Sequence, residues 1–183
     1  GEFNLTIELP ENIKSGKHMI EIITSDKKLN LGSSSVELEI TPVPTNLKIG
    51  INEAVLSPGS KVEITPYLYD QADDLMNSSL DLELASVKGS KIFTKIVSSN
   101  EKIAYELSQY AEPGRYLLTS SYQELSGIET INITAVRDIK IKYENEAVSV
   151  ENIGNVPFED ELTFILESEL KKYPITKKLS IEP

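Results

Sequence analysis

Apolar and polar residues alternate with a period of two along most of this chain. Leu5/Ile7/Leu9, Val36/Leu38/Ile40, Val62/Ile64, Leu82/Leu84, Ile131/Ile133, Ile139/Ile141, Val148/Val150, Leu162/Phe164/Leu166 and Leu179/Ile181 each put hydrophobic side chains on one face of an extended strand. Turn formers punctuate these runs: Lys14-Ser15-Gly16, Ser57-Pro58-Gly59-Ser60, Lys88-Gly89-Ser90, Glu112-Pro113-Gly114 and Ser126-Gly127. Many short strands at this spacing predict an all-β protein of antiparallel sandwiches with little or no helix. Ser99–Tyr110 is the one competitor, because Ile103, Leu107 and Tyr110 also fit a helical stripe.

An internal repeat decides that segment. Ile103-Ala104-Tyr105-Glu106-Leu107, Pro113-Gly114-Arg115-Tyr116-Leu117-Leu118-Thr119 and Glu129-Thr130-Ile131-Asn132-Ile133-Thr134 echo Leu5-Thr6-Ile7-Glu8-Leu9, Ser15-Gly16-Lys17-His18-Met19-Ile20-Glu21-Ile22 and Val36-Glu37-Leu38-Glu39-Ile40-Thr41. Tyr105-Glu106-Leu107 is thus the partner of the strand-like Ile7-Glu8-Leu9, and strand is expected. The offset is 98 residues at Leu9/Leu107 and Gly16/Gly114 and 93 at Ile40/Ile133, which places the length difference in a hairpin between Ile22 and Val36. A unit of this size is one β-sandwich.

Three segments follow: closing strands of a truncated sandwich over 1–42, a full sandwich over 45–136, and a small or truncated one over 137–183. Thr41-Pro42-Val43-Pro44-Thr45 is a stiff extended connector, whereas Ala135-Val136-Arg137-Asp138 joins the last two segments with neither proline nor glycine. Three strands with an apolar face are not stable alone, so the first segment is expected to pack on something other than solvent.

Composition narrows the chemistry. The 183 residues carry a formal charge of −11, which argues against a phosphate-binding surface and hence against nucleic acid. With no cysteine, disulfides, thiolate metal sites and cysteine nucleophiles are excluded together. No apolar stretch approaches the length of a membrane span, so direct membrane insertion is not expected. Gly1-Glu2-Phe3 reads like a cloning scar.

Leu56-Ser57-Pro58-Gly59-Ser60-Lys61-Val62-Glu63-Ile64-Thr65, then Tyr67-Leu68-Tyr69-Asp70, resembles the opening of immunoglobulin-like domains of the macroglobulin type; Pro113-Gly114-Arg115-Tyr116 matches their penultimate strand. Val148-Ser149-Val150-Glu151-Asn152-Ile153-Gly154-Asn155-Val156-Pro157 followed by Leu162-Thr163-Phe164-Ile165-Leu166 is similar to small prokaryotic adhesion-type (CARDB-like) sandwiches, which carry an Asn-X-Gly-Asn turn between core strands. Gly154, and Asn155 beside it, are expected to supply positive φ there. The resemblances imply tandem immunoglobulin-like sandwiches of a prokaryotic surface protein. The Cys-Gly-X-Gln thioester of macroglobulin protease traps is absent.

Candidate chemistry is sparse. His18 aligns with Tyr116 and reads as a packing slot rather than a catalytic base. Asp70, Asp73 and Asp74 could offer oxygens to calcium, but without the glycine, ligand order and distal glutamate of a calcium loop a plain turn explains them as well. Glu159-Asp160-Glu161 reads as a solvated edge rather than an acid/base pair, since adjacent strand residues face opposite ways. Six of eight tyrosines lie in the central segment, and Tyr67 with Tyr69 share a face that could form a ligand platform. Three sequons, at Asn4, Asn77 and Asn132, are near chance frequency for this composition; Asn77 alone falls in a predicted loop.

The sequence therefore points to a non-enzymatic, extracytoplasmic spacer or interaction module with no cofactor, partnered by other domains of a longer chain or by an envelope protein. Strand-mediated self-association through 1–42 is a further expectation. The alternative is a set of accessory carbohydrate- or protein-binding domains of a secreted enzyme.

Overall fold

The computed structural model describes residues 4–28, 30–145, 147–167 and 171–183; Gly1-Glu2-Phe3 lie outside them. Every regular element among the described residues is a strand. β1 (Gly16–Ser25) and β2 (Leu31–Ile40) form a hairpin. A sandwich follows, built from β3 (Pro44–Ile51), β4 (Val55–Leu56), β5 (Lys61–Asp70), β6 (Ser79–Ser86), β7 (Lys91–Ser98), β8 (Ile103–Glu106), β9 (Gly114–Tyr122) and β10 (Leu125–Ile133). Two more hairpins close the chain, β11 (Ile139–Glu144) with β12 (Ala147–Asn152) and β13 (Phe158–Glu167) with β14 (Lys172–Ile181).

The central sheets run β3-β5-β8 and β4-β10-β9-β6-β7. All pairs in the sandwich are antiparallel except β4–β10, so its opening strands β3 and β4 are split between the two sheets, an immunoglobulin-like order. Period-two patterning sets the layering. Along β5, Val62, Ile64, Pro66 and Leu68 point inward and are fully buried, while Lys61, Glu63, Tyr67 and Tyr69 point outward. They meet Leu82 and Leu84 of β6, Leu118 of β9 and Ile131 of β10 in one core. Each such leucine or isoleucine contributes about 1.5–3 kcal/mol by leaving water, which makes this sandwich the stable centre of the chain.

The repeat is preserved in register. Gly16 pairs with Ile40 as Gly114 pairs with Ile133, and His18 with Leu38 as Tyr116 with Ile131. Gly16 and Gly114 both hold positive φ, 108° and 143°, at the turn into the strand, a conformation that costs glycine little. The extra length lies at the hairpin tip, where Asp26–Asn30 replaces Gln123-Glu124 and each strand gains one residue.

One expected strand does not form. Leu5–Leu9 has no ladder partner among the described residues, although its equivalent Ile103–Glu106 is β8. The reason is the neighbour: β8 pairs with β5, through Lys61–Ile64, and among the described residues no strand lies beside Leu5–Leu9 in that position. Alternation makes a segment capable of extension, but without a neighbouring strand its backbone groups are left to water rather than to a ladder.

Candidate functional site

The outward face of β5 carries Tyr67 and Tyr69 together, with ring centroids 6.5 Å apart and planes tilted by 34°. The Lys48 ammonium sits 5.4 Å from the Tyr69 ring. Tyr67 lies across Gly50, where an added Cβ would come within 3.0 Å of its ring, so part of this surface serves cross-strand packing. The remaining central tyrosines do not join it: Tyr105 packs on Phe93 at 4.4 Å, Tyr116 is buried, Tyr122 is half-buried against the core, and Tyr110 is exposed elsewhere.

Asp70 ends β5 facing inward and is 1% exposed. Its Oδ1 accepts the N–H groups of Ala72 and Asp74, both at 2.9 Å, and its Oδ2 accepts the Ser15 hydroxyl at 3.0 Å. Burial pushes this carboxyl up, but the two amides, Ser15 and the nearby Lys14 charge outweigh it and hold the pKa below the ordinary aspartate value. Among the described residues no group of three acidic or histidine side chains converges as metal ligands. Asp73 turns the chain at φ 60°, and Asp74 pairs with Lys14 at 3.5 Å. The acidic turn thus joins the first segment to the central sandwich.

The adjacent Gln71 completes that junction. Its Nε2 donates to the Ile13 carbonyl at 3.0 Å, and its Oε1 accepts the Val43 N–H at 2.7 Å. One carboxamide therefore clasps both the corner before β1 and the connector after β2.

The second junction is made the same way. Asn155 is 5% exposed; its Nδ2 donates to the carbonyls of Ala111 at 2.8 Å and Thr134 at 2.9 Å, and its Oδ1 accepts the Val136 N–H at 2.7 Å. Ala111 and Val136 are the repeat equivalents of Ile13 and Val43, at offsets of 98 and 93. Backbone bonds from Asn155 to Val136, 3.0 Å, and from Ile153 to Asp138, 3.0 Å, seat the loop.

This corrects the reading of the Asn-X-Gly-Asn turn. Neither Gly154 nor Asn155 has positive φ. Glycine is required for close approach instead, because a Cβ on Gly154 would lie 2.2 Å from the Val136 carbonyl oxygen. Asn152 braces the loop by accepting the Gly154 N–H at 2.9 Å and donating to the carbonyls of Val156 and Ile181.

His18 and Tyr116 occupy equivalent corners. The Tyr116 hydroxyl donates to the Glu112 carbonyl at 2.9 Å, as in the tyrosine corner of immunoglobulin-like sandwiches. His18 Nε2 reaches the Lys14 carbonyl at 2.7 Å, so that nitrogen carries the proton. Burial, then the Glu112 charge, raises the Tyr116 pKa. Tyr116→Phe should lower the central unfolding free energy by about 1–2 kcal/mol, read from denaturant melts, while His18→Phe leaves that transition unchanged.

The other candidates stay apart. Glu159, Asp160 and Glu161 are exposed on β13, with alternate faces and no cleft between them. Asn77 accepts the Asn100 side chain at 3.1 Å. Sequence reasoning overlooked Gln71 and misread Asn155; the available signal was that each follows a strand and aligns with nothing in the repeat.

No known family matches the chain, and no curated protein matches it. Solved structures similar to it include native E. coli alpha-2-macroglobulin (TM-score 0.44, 10% identity, 93% of this chain and 16% of that one). A tetra-tandem repeat in the extending region of a large adhesion protein matches at TM-score 0.37 and 14% identity, over 92% of this chain and 46% of that one. Dimeric latent PorU from Porphyromonas gingivalis matches at TM-score 0.37 and 9% identity, over 67% and 12%. The chain spans under half the length of each. The likeness is one of fold, and the CARDB-like identity of the last segment gains no support from it.

Proposed function

We propose that this chain is a non-enzymatic structural spacer of an extracytoplasmic, cell-surface or envelope protein, holding successive β-sandwich units in fixed relative orientation. The observation that carries this reading is the recurrence of one junction: a side-chain carboxamide from the loop that follows β5 in one unit and β12 in the next binds the corner and the connector of the unit before it, through Gln71 and again through Asn155. Domains tethered only by a flexible linker leave such backbone groups to water.

Because the chain has no cysteine, spin labels can be placed at will. Labels at Ser33→Cys with Ser126→Cys, and at Ser126→Cys with Thr176→Cys, in chains diluted with unlabelled protein, should each give a narrow distance distribution. Gln71→Ala should broaden the first alone and Asn155→Ala the second alone. Broad distributions for both pairs in otherwise unaltered protein would refute a fixed spacer.

A second reading, a carbohydrate- or protein-binding accessory domain, draws on the paired Tyr67 and Tyr69 rings. A ligand there would raise the central melting temperature by mass action, and Tyr67→Ala with Tyr69→Ala would abolish that rise.

A further inference from the structure

The two ends of the chain carry complementary kinds of strand. In the central sandwich β9 is flanked by β10 on one side and β6 on the other. Among the described residues β1, the equivalent of β9, pairs with β2 alone. β13 and β14 follow the Asn155 loop as β6 and β7 follow Gln71, and among the described residues β13 pairs with β14 alone. The edge β1 leaves open is the one β6 fills for β9, and β13 is a strand of that kind with a free edge.

The second sheet repeats this relation. β5 is flanked by β3 and β8, whereas β12, which precedes the second clasp as β5 precedes the first, pairs among the described residues with β11 alone. Leu5–Leu9, the equivalent of β8, has no ladder among the described residues.

Both halves present apolar faces that the central sandwich buries. Ile20 and Leu38, the equivalents of the fully buried Leu118 and Ile131, are only half-buried on the inward face of the β1–β2 hairpin, and Ile22 and Val36 on that same face are 45% and 52% exposed. Between β11–β12 and β13–β14 lies an open cleft of about 600 Å3, lined by Val148, Val150, Phe164, Ile175 and Leu179.

One copy cannot close on itself. The first segment is clasped beside Asp70, while Gly59, Val136 and Ile153 line a crevice beyond the Lys61 end of β5. Ten residues of strand separate these ends, roughly 30 Å at about 3.3 Å per residue.

We propose that copies of this chain associate head to tail, with Leu5–Leu9, β1 and β2 of one copy completing the half-sandwich β11–β14 of the next. β1 would add to β13 as β9 adds to β6, and Leu5–Leu9 to β12 as β8 adds to β5. The contact is heterologous, so each addition exposes the same two faces again and the assembly can lengthen. This pairing rests on strand equivalence and does not depend on the spacer role.

Sedimentation equilibrium of the full chain should show a mass that rises with concentration above the 20.3 kDa of one copy. Ile20→Asp with Val36→Asp spoils the hairpin face, and Phe164→Asp with Ile175→Asp spoils the cleft. Each double variant should weaken self-association at least tenfold, and an equimolar mixture should form a one-to-one dimer that grows no further. An unchanged melting transition of the central sandwich verifies folding in both. A wild-type chain that stays at 20.3 kDa overturns the proposal and leaves both faces to strands of a longer polypeptide. So does continued association of either variant alone, or a mixture that remains monomeric.

Discussion

Gly154→Ala detaches the C-terminal hairpins from the central sandwich. The new methyl carbon would meet the Val136 carbonyl oxygen at 2.2 Å, the Asp138 nitrogen at 2.9 Å and the Val136 carbonyl carbon at 3.0 Å. All three are backbone atoms, so no rotamer change relieves the clash. The loop must retreat, which breaks the Asn155–Val136 and Ile153–Asp138 bonds and withdraws the Asn155 clasp. The expected cost is at least the upper end of the about 1–3 kcal/mol typical of overpacking. Hydrogen exchange at the Ile153 and Asn155 amides should accelerate by roughly two orders of magnitude, with Leu82 and Leu118 unaffected. Unchanged exchange at 153 and 155 would mean that the loop does not rest on residues 136–138.

Asp70→Ala carries the other large effect, at the opposite junction. It strips acceptors from the Ala72 and Asp74 amides and from Ser15, and each polar group orphaned away from water costs about 1–3 kcal/mol. A total near 3 kcal/mol is expected from the melting of the central sandwich, with the Ser15 corner released as well. Asp70→Asn keeps an oxygen for the amides and should cost less. Because the folded-state pKa of Asp70 lies below its ordinary, unfolded value, its stabilisation is fully present above that unfolded value. The stabilisation disappears as pH falls through the lower, folded pKa. An acid titration should therefore loosen the first junction in wild type, with a weaker dependence in Asp70→Asn. Equal acid dependence in the two would remove Asp70 from that role.

Much of the architecture was legible in one dimension. Alternation along Val62–Leu68 and Leu80–Leu84 specified which side chains face the core, because a strand has only two faces and water excludes one set from exposure. The repeat placed His18 and Tyr116 in one kind of slot, and the matching bonds to Lys14 and Glu112 follow from their identical spacing from the corner. The same alternation misled at Leu5–Leu9, since a pattern of two declares a strand without supplying its neighbour. At Gly154 the residue was marked for the wrong property: glycine serves φ in one setting and proximity in another, and only the position of residue 136 distinguishes them.

The junctions were the least legible part. Gln71 sits beside three aspartates that draw attention as ligands, and its own amide is unremarkable in sequence. Its partners, Ile13 and Val43, lie 58 and 28 residues away and contribute backbone atoms, which every residue has and which therefore leave no mark on the sequence. The sequence by itself determined strand pattern, core faces, repeat register and the absence of thiol chemistry, because these depend on local periodicity and on residue type. Tertiary structure alone decided which edges stay open, that Asp70 fastens a junction, and that Gln71 and Asn155 make equivalent clasps, because each depends on atoms brought together by folding from distant places in the chain.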